Sequence, residues 1–197
     1  DSPAGLADLE TVLQIQADRT PAQVGRARRG SRSSIALAIL ADATGNPALG
    51  EKENLPQTSA LLDTLAAGFA PHVNTQKNKW NRPRPHRRDP AVNPCVRKHD
   101  SASYPSGHSG LAAFRAEILS AALPEYKTQL AAAAREIAWS RVLGGIHFPS
   151  DTQAGLLLGR LVAGEMLKTP STQSAVAEMR AEIQSLMQKP SNPAAPR

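Results

Sequence analysis

The apolar residues of the chain recur at helical spacing in most segments. The first stripe comprises Leu6, Leu9, Leu13 and Ile15. The sequence "TPAQ" at residues 20–23 combines a threonine N-cap with proline at the first helical position, which is typical of a helix start. We predict a helix from there to Gly45, with a break near Gly30.

The later segments predict further helices and no sheet. These helices are predicted to run from Pro56 towards Lys77 and over residues 107–123, 125–144, 149–168 and 171–188. Alternating β-branched or aromatic runs are missing, and alanine and leucine dominate the apolar set. Residues 78–104 contain several prolines and no periodicity, which predicts a long loop of the kind that often carries function. We therefore predict one all-α domain over residues 1–188 and a disordered tail at 189–197.

Composition adds constraints on class and partner. The chain has 197 residues, of which 41% are hydrophobic and 20% charged, as in globular domains. The net charge of +6 predicts an anionic substrate or partner. No apolar run approaches the roughly 18 residues of a membrane span. Cys95 is the only cysteine, and no His or acid at catalytic spacing predicts a role for it. The start without Met is consistent with a processed, exported protein.

The segment "KNKWNRPRPHRR" at residues 77–88 concentrates positive charge where prolines oppose a helix. In isolation it is more typical of a solvated loop or of a nucleic-acid contact in which Trp80 stacks on a base. It could equally form a pocket for one phosphate. The remaining motifs favour the pocket.

Three motifs occur in a fixed order along the chain. The first is Lys77, six residues, then Arg84-Pro85; the second is "PSGH" at 105–108; the third is Ser140-Arg141, five residues, His147, three residues, Asp151. Each motif alone has an ordinary structural explanation, such as a helix cap at Ser106. No such explanation requires the other motifs at their observed spacing, so the joint pattern indicates a single anion site.

These motifs resemble those of the type 2 phosphatidic acid phosphatase (PAP2) superfamily, and within it the bacterial class A non-specific acid phosphatases. The resemblance implies a helical bundle of the PAP2 and vanadium haloperoxidase type. It also implies metal-independent hydrolysis of a broad range of phosphate monoesters through phosphohistidine, with no cofactor and with inhibition by phosphate or vanadate. Periplasmic or secreted location and a possible homo-oligomer follow from the same resemblance.

The phosphate-binding residues predicted from the motifs are Lys77, Arg84, Ser106, Gly107 and Arg141. The cations would balance the charge on the oxygens of a phosphoryl group in transfer. Ser106 and Gly107 stand where a loop becomes a helix, so their backbone N–H groups and the helix dipole would point at the anion.

The predicted catalytic residues are His147, Asp151 and His108. A neutral imidazole nitrogen of His147 can attack phosphorus. Asp151, four residues on, would accept a hydrogen bond from the other ring nitrogen and fix the tautomer. The resemblance implies that His108 protonates the leaving oxygen and then activates water.

Other polar residues receive structural interpretations. We predict surface positions for His72, His86 and His99. The neighbouring cations Lys79, Arg82, Arg87 and Arg88 are predicted to lie on the rim of the site and raise its potential. No His, Cys or Asp cluster has metal-ligand spacing, so we predict no metal site.

Two other functions remain open from the sequence. A vanadium haloperoxidase would bind vanadate in the same cationic pocket, with His147 as ligand, and would oxidise bromide. A basic nucleic-acid-binding module would show affinity that falls steeply with salt and survives loss of His147.

Overall fold

The computed structural model describes residues 2–30 and 35–188, and within these ranges the chain is helical and contains no strand. The helices are α1 (Pro3–Asp18), α2 (Pro21–Arg29), α3 (Ile35–Thr44), α4 (Pro56–Trp80), α5 (Pro85–Arg88), α6 (Gly107–Ala122), α7 (Lys127–Leu143), α8 (Pro149–Met166) and α9 (Pro170–Gln188). Short 3₁₀ turns cover Pro47–Gly50 and Pro124–Tyr126. The predicted all-α class is confirmed.

The predicted loop at residues 78–104 is partly wrong. Helix α4 continues to Trp80, and Asn81 ends it in a left-handed conformation (φ 39°) while its N–H donates to the carbonyl of Lys77. Helix α5 then forms because Pro85 occupies the first helical position, where its missing N–H has no intrahelical partner to lose. The predicted break near Gly30 falls between α2 and α3, and the predicted tail at 189–197 lies outside the described residues.

Helices α6 and α8 pack against each other at very short distance, and glycine makes this possible. A Cβ atom at Gly155 would lie 2.4 Å from the carbonyl oxygen of Ser106, and one at Gly159 would lie 2.1 Å from that of Gly110. Real Cβ atoms do not approach backbone this closely, so both positions require glycine. The contact holds the N-termini of the two helices side by side.

The main core lies around α6. It is built from buried apolar side chains of α3, α4, α6, α7, α8 and α9, among them Leu40, Phe69, Phe114, Leu119, Ile137, Val162 and Met179. Phe69 and Phe114 stack with ring centroids 5.4 Å apart. A second, smaller cluster of Val12, Val92, Val142 and Phe148 fastens α1 to the loop after α5 and to the segment before α8. This cluster brings the N-terminal helix close to the motif residues.

Across residues 2–30 and 35–188, no helix combines the length and the apolar character needed to cross a bilayer.

Candidate active site

The three motifs come together at the ends of helices α4 to α8. Lys77 lies in the last turn of α4, Arg84 precedes α5, Ser106 caps α6, Arg141 lies in the last turn of α7, and His147 stands just before α8. Arg84 contacts His147 directly, and its charge lowers the pKa of both Lys77 and Arg141. The residues predicted from the joint spacing therefore form one site.

His147 and Asp151 make the predicted contact. Nδ1 of His147 lies 3.2 Å from Oδ2 of Asp151, and both side chains are buried. The same carboxylate oxygen accepts hydrogen bonds from the backbone N–H of Phe148 at 2.9 Å and from Ser103 Oγ at 2.5 Å. Burial raises the pKa of Asp151, but the hydrogen bonds from His147, Ser103 and Phe148 outweigh burial and leave that pKa below its usual value. Asp151 is therefore a carboxylate.

The contacts of His147 identify its tautomer. Nη1 of Arg84 lies 3.1 Å from Nε2 of His147, and a guanidinium can only donate. Nε2 therefore carries the lone pair, and Nδ1 carries the proton that faces Asp151. Burial lowers the pKa of His147 to about 4, although Asp151 acts in the opposite direction. A neutral imidazole with an unprotonated Nε2 is the form needed for attack on phosphorus.

Arg84 is held by the loop that follows α5. Its Nε donates to the carbonyl of Ser101 at 2.8 Å, its Nη2 to Ser101 Oγ at 3.0 Å, and its Nη1 to the carbonyl of Ile146 at 3.0 Å. Only 4% of its surface is exposed. A guanidinium fixed in this way presents its charge beside Nε2 of His147, which is where an anion would be drawn.

Lys77 and Arg141 add two further cations with little access to water. Lys77 Nζ donates to the carbonyl of Ala102, and burial together with the charge of Arg84 lowers its pKa to about 8. Arg141 is fully buried, and burial together with Arg84 lowers its pKa to about 10. Cations whose charge is destabilised by burial and by one another favour the arrival of an anion.

Ser106 departs from one part of its prediction. Its backbone N–H donates to the main-chain carbonyl of Asp151 at 2.9 Å and so joins α6 to α8 instead of facing an anion. Its Oγ accepts hydrogen bonds from the N–H and the hydroxyl of Ser109, which leaves its own O–H proton to donate. Gly107 lies beside the stem of Lys77, and the role of its N–H group stays a prediction.

His108 and His99 lie together next to the cations. Their ring centroids are 6.0 Å apart, and His99 is half-buried, so its predicted surface position is wrong. Burial, Arg141 and His147 lower the pKa of His108 to about 3. His108 is therefore neutral over most of the acid range.

Two functional contacts were missed from the sequence. Arg82, predicted as a rim charge, donates from Nη1 to Oδ1 of Asp151 at 2.7 Å, and Ser103 donates to the other oxygen. Arg82 and Ser103 lie 69 and 48 residues from Asp151 along the chain, so no local sequence pattern predicts either contact.

The other minor predictions have mixed outcomes. His72 is exposed as predicted, whereas His86 is half-buried with its Nδ1 enclosed, because the short helix α5 folds against the loop. Within residues 2–30 and 35–188, no three His, Cys, Asp or Glu side chains are grouped so that they could hold a metal ion.

Comparison with known proteins agrees with the geometry. Residues 58–174 match the family model described as the PAP2 superfamily, which is more than half of the chain. The chain belongs to the PAP2 superfamily. The matched range includes every predicted site residue, and the family prediction is confirmed.

The similar curated proteins are bacterial phosphatases. The non-specific acid phosphatase of Salmonella typhimurium is 36% identical over 83 residues, which are 42% of this chain and 33% of that protein. The acid phosphatase of Zymomonas mobilis is 29% identical over 109 residues, covering 53% of this chain and 41% of that protein. The matches thus span well under half the length of these relatives.

A solved structure shares the fold. A transmembrane PAP2-type phosphatidylglycerolphosphate phosphatase from Bacillus subtilis superposes with a TM-score of 0.59 and 22% identity, over 84% of this chain and 85% of that one. The likeness confirms the predicted PAP2-type helical fold.

Proposed function

We propose that this protein is a metal-independent acid phosphatase that hydrolyses a broad range of phosphate monoesters through a phosphohistidine at His147. One observation carries the proposal: Arg84 and Asp151 contact opposite nitrogens of the buried His147 ring. Asp151 holds the proton on Nδ1, and the Arg84 cation donates to the unprotonated Nε2. A phosphate oxygen bound to Arg84 would bring phosphorus next to the nucleophilic nitrogen.

In the first step, the Nε2 lone pair of His147 forms a bond to phosphorus, and the bond from phosphorus to the ester oxygen breaks. The leaving oxygen keeps the electron pair and takes a proton from His108. Lys77, Arg84 and Arg141 balance the charge on the other phosphoryl oxygens, and the Ser106 hydroxyl donates to one of them. Asp151 stabilises the imidazolium that forms on attack.

In the second step, water attacks phosphorus and transfers a proton to His108. The bond from phosphorus to Nε2 breaks, its electron pair returns to His147, and inorganic phosphate leaves. His108 ends the cycle protonated, as it began.

The proton on His108 depends on the anion. Burial and the surrounding cations hold its pKa at about 3. The negative charge of a bound phosphate ester would offset the cations Arg141 and Arg84 and raise that pKa. His108 thus acquires its proton when the substrate binds, so it acts as an acid only in the complex with substrate.

Family membership and the names of the similar bacterial proteins support this function. Likeness to class A enzymes also motivates the proposal of a periplasmic or secreted location. Cell fractionation of the native host would test location separately from activity.

The decisive experiment is hydrolysis of a panel of phosphate monoesters, diesters and diphosphates by purified protein, with and without chelator. We expect turnover of several chemically different monoesters, unchanged by chelation and inhibited by vanadate, which readily adopts the geometry of the transferring phosphoryl group. The His147→Ala variant is the matched control and should be inactive on all of them.

Phosphohistidine is tested by denaturing the enzyme in alkali during turnover and measuring the mass of the peptide that contains His147, since this adduct is acid-labile. Label on another residue would contradict the mechanism. Turnover that is abolished by chelation and restored by a divalent metal would overturn metal independence. Bromide oxidation with added vanadate and peroxide would favour a haloperoxidase.

A further inference from the structure

A polar network behind the catalytic carboxylate connects the site to the N-terminal helix. Arg82 Nη1 lies 2.7 Å from Oδ1 of Asp151 and 2.7 Å from Ser150 Oγ, and its Nη2 lies 2.8 Å from Oδ2 of Asp8 on α1. Asp8 also accepts hydrogen bonds from the backbone N–H of Ser150, at 3.2 Å, and from its hydroxyl. One guanidinium thus bridges two carboxylates.

The network has little freedom to rearrange. The side chains of Arg82 and Asp8 are 20% and 12% exposed, and that of Asp151 is fully buried. The guanidinium carbon of Arg82 lies 4.0 Å from the ring centroid of Phe148, whose own N–H holds the other oxygen of Asp151. Planar stacking and two-sided hydrogen bonding are properties of arginine that lysine lacks.

We propose that Arg82 is a positioning residue that holds Asp151 against His147, and that Asp8 of α1 holds Arg82 in turn. The proposal rests on the proposed function only in that it assigns His147 the nucleophilic role. Arg82 acts through Asp151 and does not bind phosphate, because both of its terminal nitrogens already donate to the two carboxylates and Ser150. The N-terminal helix is therefore part of the support of the catalytic centre.

The arrangement predicts that loss of the Arg82 charge and loss of the Asp8 charge shift the pKa of His147 in opposite directions. Burial, Arg84 and Lys77 oppose the charged form of His147, while Asp151 favours it. Arg82 offsets part of the Asp151 charge, and Asp8 offsets part of the Arg82 charge. Removing the charge of Arg82 should therefore raise the pKa of His147, and removing that of Asp8 should lower it.

The variants are Arg82→Gln, which loses the charge, Arg82→Lys, which keeps the charge but not the planar fork, and Asp8→Asn. The matched control is Asp63→Asn, because Asp63 accepts from Arg115 at 2.9 Å in an ion pair between α4 and α6 away from the network. Circular dichroism and thermal melts establish that each variant is folded.

The first readout is ¹⁵N NMR titration of the His147 ring, which needs no substrate. We expect its pKa to rise by roughly 0.5 to 1 unit in Arg82→Gln and to fall by a smaller amount in Asp8→Asn, with no change in Asp63→Asn. An unchanged or oppositely shifted pKa in folded Arg82→Gln would overturn the proposal. If wild-type protein hydrolysed no phosphate ester, the proposed function would fail while this readout still tested the network.

The second readout separates kcat from anion binding. We expect Arg82→Lys to lower kcat by roughly 10- to 100-fold, because a loosened nucleophile is misaligned, while the inhibition constant of inorganic phosphate stays within about twofold. Asp8→Asn should show a smaller fall in kcat, and Asp63→Asn none. Phosphate binding weakened in step with kcat would show that Arg82 is a ligand and would refute the positioning role.

Discussion

The two histidines proposed as catalytic differ in what surrounds them, and this difference supports the roles proposed for them. His147 has Asp151 on one nitrogen and Arg84 on the other, and it is almost fully buried. His108 has no carboxylate partner among the described contacts and stands among cations beside His99. An oriented, neutral ring suits a nucleophile, whereas a ring whose proton depends on a bound anion suits an acid and base.

Substitution of each histidine should have a different dependence on the leaving group. The His147→Ala variant removes the atom that bonds to phosphorus, so alkyl and nitrophenyl phosphates should lose activity to a similar, severe degree. The His108→Ala variant removes only the proton donor. It should lose up to about 10²- to 10⁴-fold on alkyl phosphates and less on nitrophenyl phosphate, whose leaving group needs little protonation.

Steady-state kinetics of both variants on both substrates provide the measurement. Equal losses of the two variants on the two substrates would contradict the assignment of roles. Phosphoenzyme should also accumulate in His108→Ala, because His108 activates the water that cleaves it.

At the scale of the elements, the site depends on how closely α6 approaches α8. Their N-termini carry Ser106 and Asp151, and the hydrogen bond between the backbone atoms of these residues is 2.9 Å long. Gly155 lies one turn further along α8, and its missing side chain permits this distance. Both the site and the packing of the core therefore require glycine at position 155.

The Gly155→Ala substitution should damage both stability and activity. The added Cβ atom would meet the Ser106 carbonyl at 2.4 Å, and overpacking of this kind costs about 1–3 kcal/mol. Gly164→Ala on the same helix is the matched control, because nothing lies within 4 Å of its Cβ position, and alanine there should be neutral or stabilise by up to about 1 kcal/mol.

Urea unfolding and kcat on one monoester would be measured for both variants. A Gly155→Ala protein as stable and active as wild type would show that α8 can shift without harm to the site. Loss of activity in Gly164→Ala would indicate a general effect of alanine on α8.

At the scale of the whole molecule, the two histidines His147 and His108 lower the stability of the fold in acid. The pKa values of His147 and His108 in the fold are about 4 and about 3, whereas an unfolded histidine titrates near 6.5. Between these values the unfolded chain binds protons that the folded chain does not. The stability that the two neutral rings retain above about pH 6.5 is therefore lost as pH falls towards 4.

We expect the melting temperature without phosphate to fall between pH 6.5 and pH 4 more gently in His108→Gln than in wild type. Each proton taken up only on unfolding adds up to about 1.4 kcal/mol of lost stability per pH unit, and glutamine cannot take it up. Thermal melts across this range, with His72→Gln as control because His72 is exposed, provide the measurement. Parallel curves for wild type and His108→Gln would contradict the low pKa.

Sequence alone determined the elements and the identity of the main site residues. Helix periodicity, proline at helix starts and N-caps are local properties, so α4 and α6 to α9 could be placed to within a few residues. The three motifs could be joined into one site because the same anion explains each of them. The nature of the residues at Lys77, Arg84, His147 and Asp151 already indicated the chemistry that we propose.

Tertiary structure decided which neighbours act on those residues. The Arg82 guanidinium reaches Asp8 and Asp151 across 74 and 69 residues of chain, His99 approaches His108 from the loop, and the Ser106 amide is taken by Asp151. Such contacts depend on how helices cross and how closely they pack, and neither property leaves a periodic signal in the sequence. From the sequence alone, Arg82 is therefore interpreted as a charge on the rim of the site. The packing of α1 and α8 shows that its partners are Asp8 and Asp151.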